Sequence, residues 1–370
     1  MNCLGMFRAT ALLCVLLLAA CASDKSGIRV INASTTVYEV PSKTSGIAVK
    51  PIAQSNGRGS LILHGGGTFQ HEIAADIIAL AGPNPRLCLI DTADNGEGQI
   101  YRFFDEFRDV RLSVLNLQPS DTGRPDVVAT LRDCTGFFFG GGAPQRLSET
   151  FRPRGHDTPA LAAIRERFER HGAVVAGSSA GAMVVGPVTL CECGAKSSVL
   201  AVTRGELFKA PGFDLLSSAV LIDAHFFARG LLGRHMFALA RDRIPVGVGI
   251  DEDTAVLVPG NGGPWVVLAG HKVALVKTPS DATMDHLHGF GFSELFPGDR
   301  FDPLTGRVMV SSSRRKMGPL EGILEDKAKD AQSVPLRYSF DDAPDTVPYV
   351  NASTGRIETY LNRIVSVDPL

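Results

Sequence analysis

A surplus of charge of either sign is the first thing this chain of 370 residues lacks: its formal net charge is −2. With no basic face, it carries no electrostatic footprint for nucleic acid, and polynucleotide partners are set aside. Long apolar runs are also missing beyond the first 21 residues. No later segment reaches about 18 consecutive apolar residues, so no membrane-crossing helix is expected there. Metal-ligand spacing is missing too. Cys191-Glu192-Cys193 stands without the second Cys or His pair that zinc sites use. Cys88 and Cys134 lie in or beside apolar runs and read as buried small hydrophobes. No internal repeat is visible.

What is present begins with a leader. Arg8 supplies a positive n-region, and the apolar stretch 9–18 is too short to span a bilayer comfortably. Leu18-Ala19-Ala20-Cys21 resembles a bacterial lipobox, with cleavage before Cys21 and acylation of its thiol. Residues 1–20 are therefore expected to be a lipoprotein signal peptide. A lipid anchor such as palmitate on Cys21 would hold the chain to a membrane of the cell envelope, on the periplasmic or outer-membrane side. Residues 21–57 read as a tether, with a short strand near 36–40.

From residue 58 the pattern becomes that of a folded core, with 44% hydrophobic residues in the chain to build it. Apolar runs at 61–63, 87–90, 110–115, 136–139, 173–176, 219–222 and 246–250 alternate with helix-like stretches at 72–80, 99–107, 127–131, 159–171, 180–185 and 231–240. Such alternation predicts an α/β fold with parallel strands joined by crossover helices on both faces. Runs at 265–268, 272–277 and 307–310 predict a small C-terminal β extension. Residues 58–310 form the expected domain, and 311–370 an appendage with a charged helix candidate at 321–331.

In an open parallel sheet, ligands bind beyond the carboxyl ends of the strands, so the residues that follow each run matter most. They are His64-Gly65-Gly66-Gly67, Asp91-Thr92, Gly140-Gly141-Gly142, Gly177-Ser178-Ser179-Ala180-Gly181, Asp223-Ala224-His225 and Asp251-Glu252. Ser, His and Glu are thus expected on one rim of one sheet. Gly177 to Gly181 matches the Gly-x-Ser-x-Gly elbow, a tight strand-to-helix turn that needs small neighbours. Ser179 is the candidate nucleophile, and the Ala180 N–H at the helix start is a natural oxyanion donor. His225 is the candidate base by position. An acid must orient it, and chemistry alone leaves Asp251, Glu252 and Asp253 equivalent. Arg229 and Arg234 could clamp a substrate carboxylate in bidentate fashion.

The pattern is similar to that of the cyanophycinase-like serine peptidases, relatives of the aspartyl dipeptidases. The matching pieces are Gly140-Gly141-Gly142 before Arg146-Leu147, then Gly177-Ser178-Ser179-Ala180-Gly181-Ala182. Asp223-Ala224-His225-Phe226 with Arg229 and Arg234 follows, and then Gly247-Val248-Gly249-Ile250-Asp251-Glu252-Asp253-Thr254-Ala255. The resemblance implies a flavodoxin-like, doubly wound, mainly parallel sheet, related to class I glutamine amidotransferase domains. It also implies a Ser179–His225–Glu252 triad, an acyl-enzyme, a peptide substrate of aspartyl type, no metal or cofactor, and a homodimer. Oxyanion and substrate contacts would fall to Ala180, Gly141, Gly142, Gln145, Asp223, Arg229 and Arg234. The family usually has glutamine where this chain has Ala224 and Pro144, with Gln145 displaced by one, which argues against cyanophycin, the aspartate–arginine polymer, as substrate.

Two rivals are weighed against this reading. An α/β-hydrolase esterase or lipase would use His64–Gly67 as its oxyanion motif and Asp285 with His288 as partners. It would leave Gly140–Gly142 and Asp223–His225 without a role. A catalytically inactive surface lipoprotein would keep the fold as a binding module.

Overall fold

The computed structural model describes residues 29–32, 36–52, 57–96, 99–191, 196–216, 219–316, 336–351 and 357–369. The leader, Cys21, Cys193 and the charged segment 321–331 lie outside them. Two strands, β1 (Arg29–Asn32) and β2 (Thr36–Val40), precede the core. The core then runs β3 (Leu61–His64), α1 (His71–Leu80), β4 (Arg86–Ile90), β5 (Arg111–Asn116), α2 (Pro125–Asp133) and β6 (Gly136–Phe139). Next come α3 (Pro144–Phe151), α4 (Pro159–His171), β7 (Val174–Ser178), α5 (Ala180–Met183), β8 (Val188–Leu190), α6 (Lys196–Arg204) and β9 (Lys209–Pro211). β10 (Val220–Ala224), α7 (Leu232–Asp242), β11 (Val246–Ile250), β12 (Ala255–Val258), β13 (Trp265–Ala269) and β14 (Val273–Lys277) follow. The chain continues through β15 (Phe290–Leu295), β16 (Arg300–Asp302), β17 (Arg307–Met309), β18 (Arg314–Lys316), β19 (Leu336–Asn351) and β20 (Ile357–Pro369).

The centre of the larger sheet is the parallel set β5-β4-β6-β7-β3. The middles of its strands are runs of buried apolar residues, as in Leu61–Leu63, Leu87–Ile90 and Phe137–Phe139, because both faces are covered. In β6, Phe137 and Phe139 pack among Leu131, Phe151, Ile164 and Phe168 of the helices on one face. Phe138 points the other way, to Ile73, Ile77 and Phe104. Alternation of side chains across the strand thus feeds two cores. Helix boundaries follow local chemistry. At the start of α4 the Thr158 Oγ1 accepts the Leu161 N–H at 3.4 Å and Pro159 takes the first turn. At its end Gly172 adopts φ 68°, a left-handed cap.

Antiparallel strands extend this sheet on both sides, β2 and β1 beyond β5, and β12, β13, β16 and β17 beyond β3. The short strand expected near 36–40 therefore does more than tether: all five of its residues pair with β5. The helix-like stretch at 99–107 is instead a single 3₁₀ turn, Ile100–Phe103.

A second sheet has the order β10-β11-β14-β15-β20-β19-β18. It corrects the expectation of one rim on one sheet, because β10 and β11, which lead to His225 and Glu252, belong here and not beside β7. Sequence order shows that β10 and β11 are strands but cannot show which partner each takes. The β extension is likewise divided between the two sheets, and the segment after 311 supplies three strands of the second. There β20 pairs with β15, and the Tyr338 hydroxyl on β19 accepts the Gly233 N–H of α7 at 3.1 Å.

Cys88 in β4 is joined to Cys134, just after α2, in a disulfide with Cα atoms 5.9 Å apart. Both side chains are buried, but reading them as separate small hydrophobes is corrected. Their approach, across 46 residues of sequence, depends on the pairing of β4 with β6. Among the described residues no helix is long and apolar enough to cross a membrane, and no cluster of His, Cys, Asp and Glu could hold a metal ion.

Candidate active site

The loop after β3 stitches the carboxyl ends of the two sheets together. The Ser179 N–H donates to the His64 carbonyl at 2.9 Å, and the His225 N–H to the Gly65 carbonyl at 2.8 Å. The Asp253 N–H donates to the Gly66 carbonyl at 2.7 Å, and the Gly65 N–H to the Thr254 carbonyl at 2.9 Å. Three residues carrying side chains hold positive φ at this junction: Ser179 (54°), His225 (55°) and Asp253 (58°). Such strain persists only where surrounding structure over-determines it.

Ser179 sits between β7 and α5 with φ 54° and ψ −116°. A Cβ on Gly177 would overlap the Gly181 carbonyl, and one on Gly181 the Phe139 carbonyl. The elbow therefore requires glycine at both flanks. The partly exposed Ser179 hydroxyl lies 2.8 Å from His225 Nε2. On the far side of the ring, Nδ1 lies 2.9 Å from Glu252 Oε1. A carboxylate can only accept, which puts the imidazole proton on Nδ1 and leaves Nε2 to accept from the serine.

The three adjacent acids, equivalent in sequence, have separate contacts. Glu252 reaches the imidazole. Asp251 Oδ1 accepts the N–H groups of Phe227 and Ala228 at 3.1 and 2.8 Å, holding the turn that follows His225. Asp253 Oδ1 accepts the Thr68 N–H in the loop after β3. Gly66 packs directly under the His225 ring, where a Cβ would overlap Cε1. Burial, with the nearby Arg229 charge, lowers the His225 pKa below its ordinary value against the opposing Glu252 hydrogen bond.

The remaining candidates divide by exposure. Gly141 lies against Ser179, with a Cβ there falling 3.4 Å from Ser179 Cβ. Ala180 opens α5, Gly142 is exposed at φ 131° against the Ala93 carbonyl, and Gln145 is exposed on the first turn of α3. Arg229 is about one-third exposed, with Nε 3.8 Å from Glu252 Oε1. Arg234 and Asp223 are fully buried. The guanidinium spans both Asp223 oxygens, with Nε at 3.0 Å from Oδ2 and Nη2 on Oδ1. Burial alone would raise the Asp223 pKa, but the Arg234 charge outweighs it and holds the carboxyl below its ordinary value. Neither residue presents anything to a substrate, which corrects their reading as substrate contacts. The pair instead ties α7 to the strand leading to His225. The His288 ring stacks on His286, with centroids 4.3 Å apart.

A residue whose side chain sequence reasoning passed over is His64, read there as part of a glycine-rich turn or of the rival's oxyanion motif. It is fully buried, and its Nδ1 lies 3.0 Å from the Ser178 hydroxyl. The register that sets His64 opposite Ser178 is a property of the β3–β7 pairing, for which the linear sequence carries no signal.

A parallel α/β core with a serine elbow and a histidine at its rim defines a class, the serine-type hydrolases built on such sheets. Within it, the sequence model of peptidase family S51 matches residues 61–263. The chain belongs to that family of serine peptidases. Relatives named cyanophycinase include one from Trichormus variabilis, 28% identical over 216 residues, 55% of this chain and 69% of the relative. Another, from Synechococcus elongatus, is 31% identical over 169 residues, 45% of this chain and 49% of the relative. Among solved structures, a peptidase from an acI-B1 Actinobacterium is similar with a TM-score of 0.51 at 23% identity, over 67% of this chain and 98% of its own. That last likeness is one of fold.

Proposed function

We propose that the protein cleaves aspartyl-type peptides through an acyl-enzyme, with Ser179, His225 and Glu252 as its triad. The observation that carries this reading is the unbroken chain from Ser179 Oγ to His225 Nε2 at 2.8 Å and from Nδ1 to Glu252 at 2.9 Å. Ser179 attacks the peptide carbonyl as His225 takes its proton. Glu252 holds the tautomer and balances the imidazolium charge. The N–H groups of Ala180 and of the Gly141–Gly142 pair bind the oxyanion. The C–N bond then breaks, His225 protonates the leaving amine, and a water deprotonated by His225 releases the acid. Arg229, at the rim beside Glu252, recognises the substrate carboxylate.

The substrate differs from cyanophycin in this proposal. Ala224 is fully buried and Pro144 starts α3, so neither supplies the amide expected of that family at these places. A panel of aspartyl and isoaspartyl peptides tests the substrate class, beside short-chain acyl esters as the rival. S179A should lose turnover and fluorophosphonate labelling while keeping its melting temperature; near-normal turnover in S179A refutes the triad.

Export and lipid attachment at Cys21 complete the proposal. The Cys88–Cys134 disulfide supports it, because such bonds persist in oxidising compartments. Incorporation of labelled palmitate that C21A abolishes tests the anchor, and sedimentation tests the homodimer implied by the resemblance.

A further inference from the structure

The triad leaves His64 without a task, yet its ring is held by more polar contacts than a packing residue needs. Its Nδ1 accepts the Gly66 N–H at 3.2 Å and faces the Ser178 hydroxyl at 3.0 Å. A nitrogen that accepts from a backbone N–H carries no proton, so Ser178 is the donor in the second contact. The ring proton then sits on Nε2, 3.3 Å from Gln70 Oε1. Gln70 in turn donates its amide to the Asp253 carbonyl at 2.8 Å.

We propose that His64 is a positioning residue: through Ser178, Gly66 and Gln70 it locks the strained turn at Ser179 in register with the loop carrying Glu252. The inference rests on the triad reading above. Each end of the network touches a part that must not drift. Ser178 immediately precedes the nucleophile, whose own N–H is held by the His64 carbonyl at 2.9 Å. Gly66 lies beneath the His225 ring, so a shift of Gly66 displaces the imidazole. Asp253 immediately follows Glu252. One buried side chain thereby connects the neighbourhoods of all three triad members, of which His225 and Glu252 follow strands of one sheet and Ser179 a strand of the other.

His64 and Ser178 are not a second nucleophilic pair. The outer nitrogen of His64 hydrogen-bonds an amide and not a carboxylate, so it lacks the direct acid partner that holds the imidazolium of a triad. Burial draws the His64 pKa down to about 4, against the opposing Gln70 hydrogen bond and the nearby Asp253 charge. The ring stays neutral, with Nδ1 as acceptor, through the neutral pH range.

The test is the rate at which a fluorophosphonate labels Ser179, measured with melting curves on S178A, H64L, H64N, Q70L and the S178A/H64L double variant. Losing the clamp should slow labelling by about tenfold in S178A and H64L, the scale of one hydrogen bond. H64N returns an acceptor oxygen near the Nδ1 position and should recover most of the loss. The double variant should label no more slowly than H64L alone, because both changes break one contact. A merely structural histidine would show neither the rescue nor the non-additivity. Should H64L fail to fold, S178A and Q70L decide. Wild-type labelling in both, or losses that multiply in the double variant, overturns the proposal. S179A separates the two levels. If it is still labelled at the wild-type rate, the triad fails and this network with it. If it is unlabelled while S178A and Q70L both label normally, only the positioning role fails.

Discussion

Replacing His64 with asparagine should flatten the acid side of the protein's stability curve. In the fold, burial holds the His64 pKa at about 4, against 6.5 for the unperturbed side chain. Between those values the unfolded chain binds a proton that the native state refuses, so stability rises with pH across the window. The neutral-ring fold is at full strength above pH 6.5 and loses it progressively as pH falls toward 4. A displacement of this size corresponds to roughly 3 kcal/mol when complete, of which about 2 kcal/mol should be lost between about pH 8 and about pH 5. Urea unfolding at a series of pH values, followed by near-UV circular dichroism, measures it in the wild type and in H64N. Other groups titrate in the same range, His225 among them, but they are common to both proteins and cancel in the difference. The two curves should diverge by about 2 kcal/mol over that interval, whatever the offset at neutral pH. Parallel curves would show that His64 is not held neutral by burial, and the tautomer assigned to it would have to be given up.

The other expectations concern the triad and the disulfide. E252Q should lower kcat by about 10³–10⁴, since an amide at that place stabilises the wrong tautomer; the larger loss in D251N would move the acid role to that residue. The acid limb of kcat/KM should fall below the ordinary histidine value of 6.5, because burial and Arg229 lower the His225 pKa and the base must be neutral. A limb above 6.5 contradicts the environment described. In the C88A/C134A double variant, releasing a crosslink across 46 residues should cost about 4 kcal/mol in denaturant unfolding by the chain-entropy relation. An unchanged midpoint would show that the bond does not constrain the chain.

Much of the parallel core was written into local pattern. The apolar runs at 61–63, 87–90, 136–139, 173–176, 219–222 and 246–250 each mark a strand, because a strand covered on both faces is built around a continuously apolar stretch. The elbow at Ser179 was equally plain, since only glycines fit its flanks. Its strain is local, and a local motif can announce it. The contact of Ser179 with His225 follows from candidates that position alone had ranked.

Partnership was settled only by the tertiary structure. That β10 and β11 join a second sheet, that Cys88 meets Cys134, and that His64 stands opposite Ser178 all depend on strand pairing between distant segments. Pairing is decided by the packing of whole layers and leaves no mark on either strand alone. For the same reason Arg234 read as a substrate clamp until α7 was seen to bury it on Asp223. The distinct contacts of Asp251, Glu252 and Asp253 belong here too. Three neighbouring carboxylates are chemically alike in a chain, and only the direction each takes from a strained turn tells them apart.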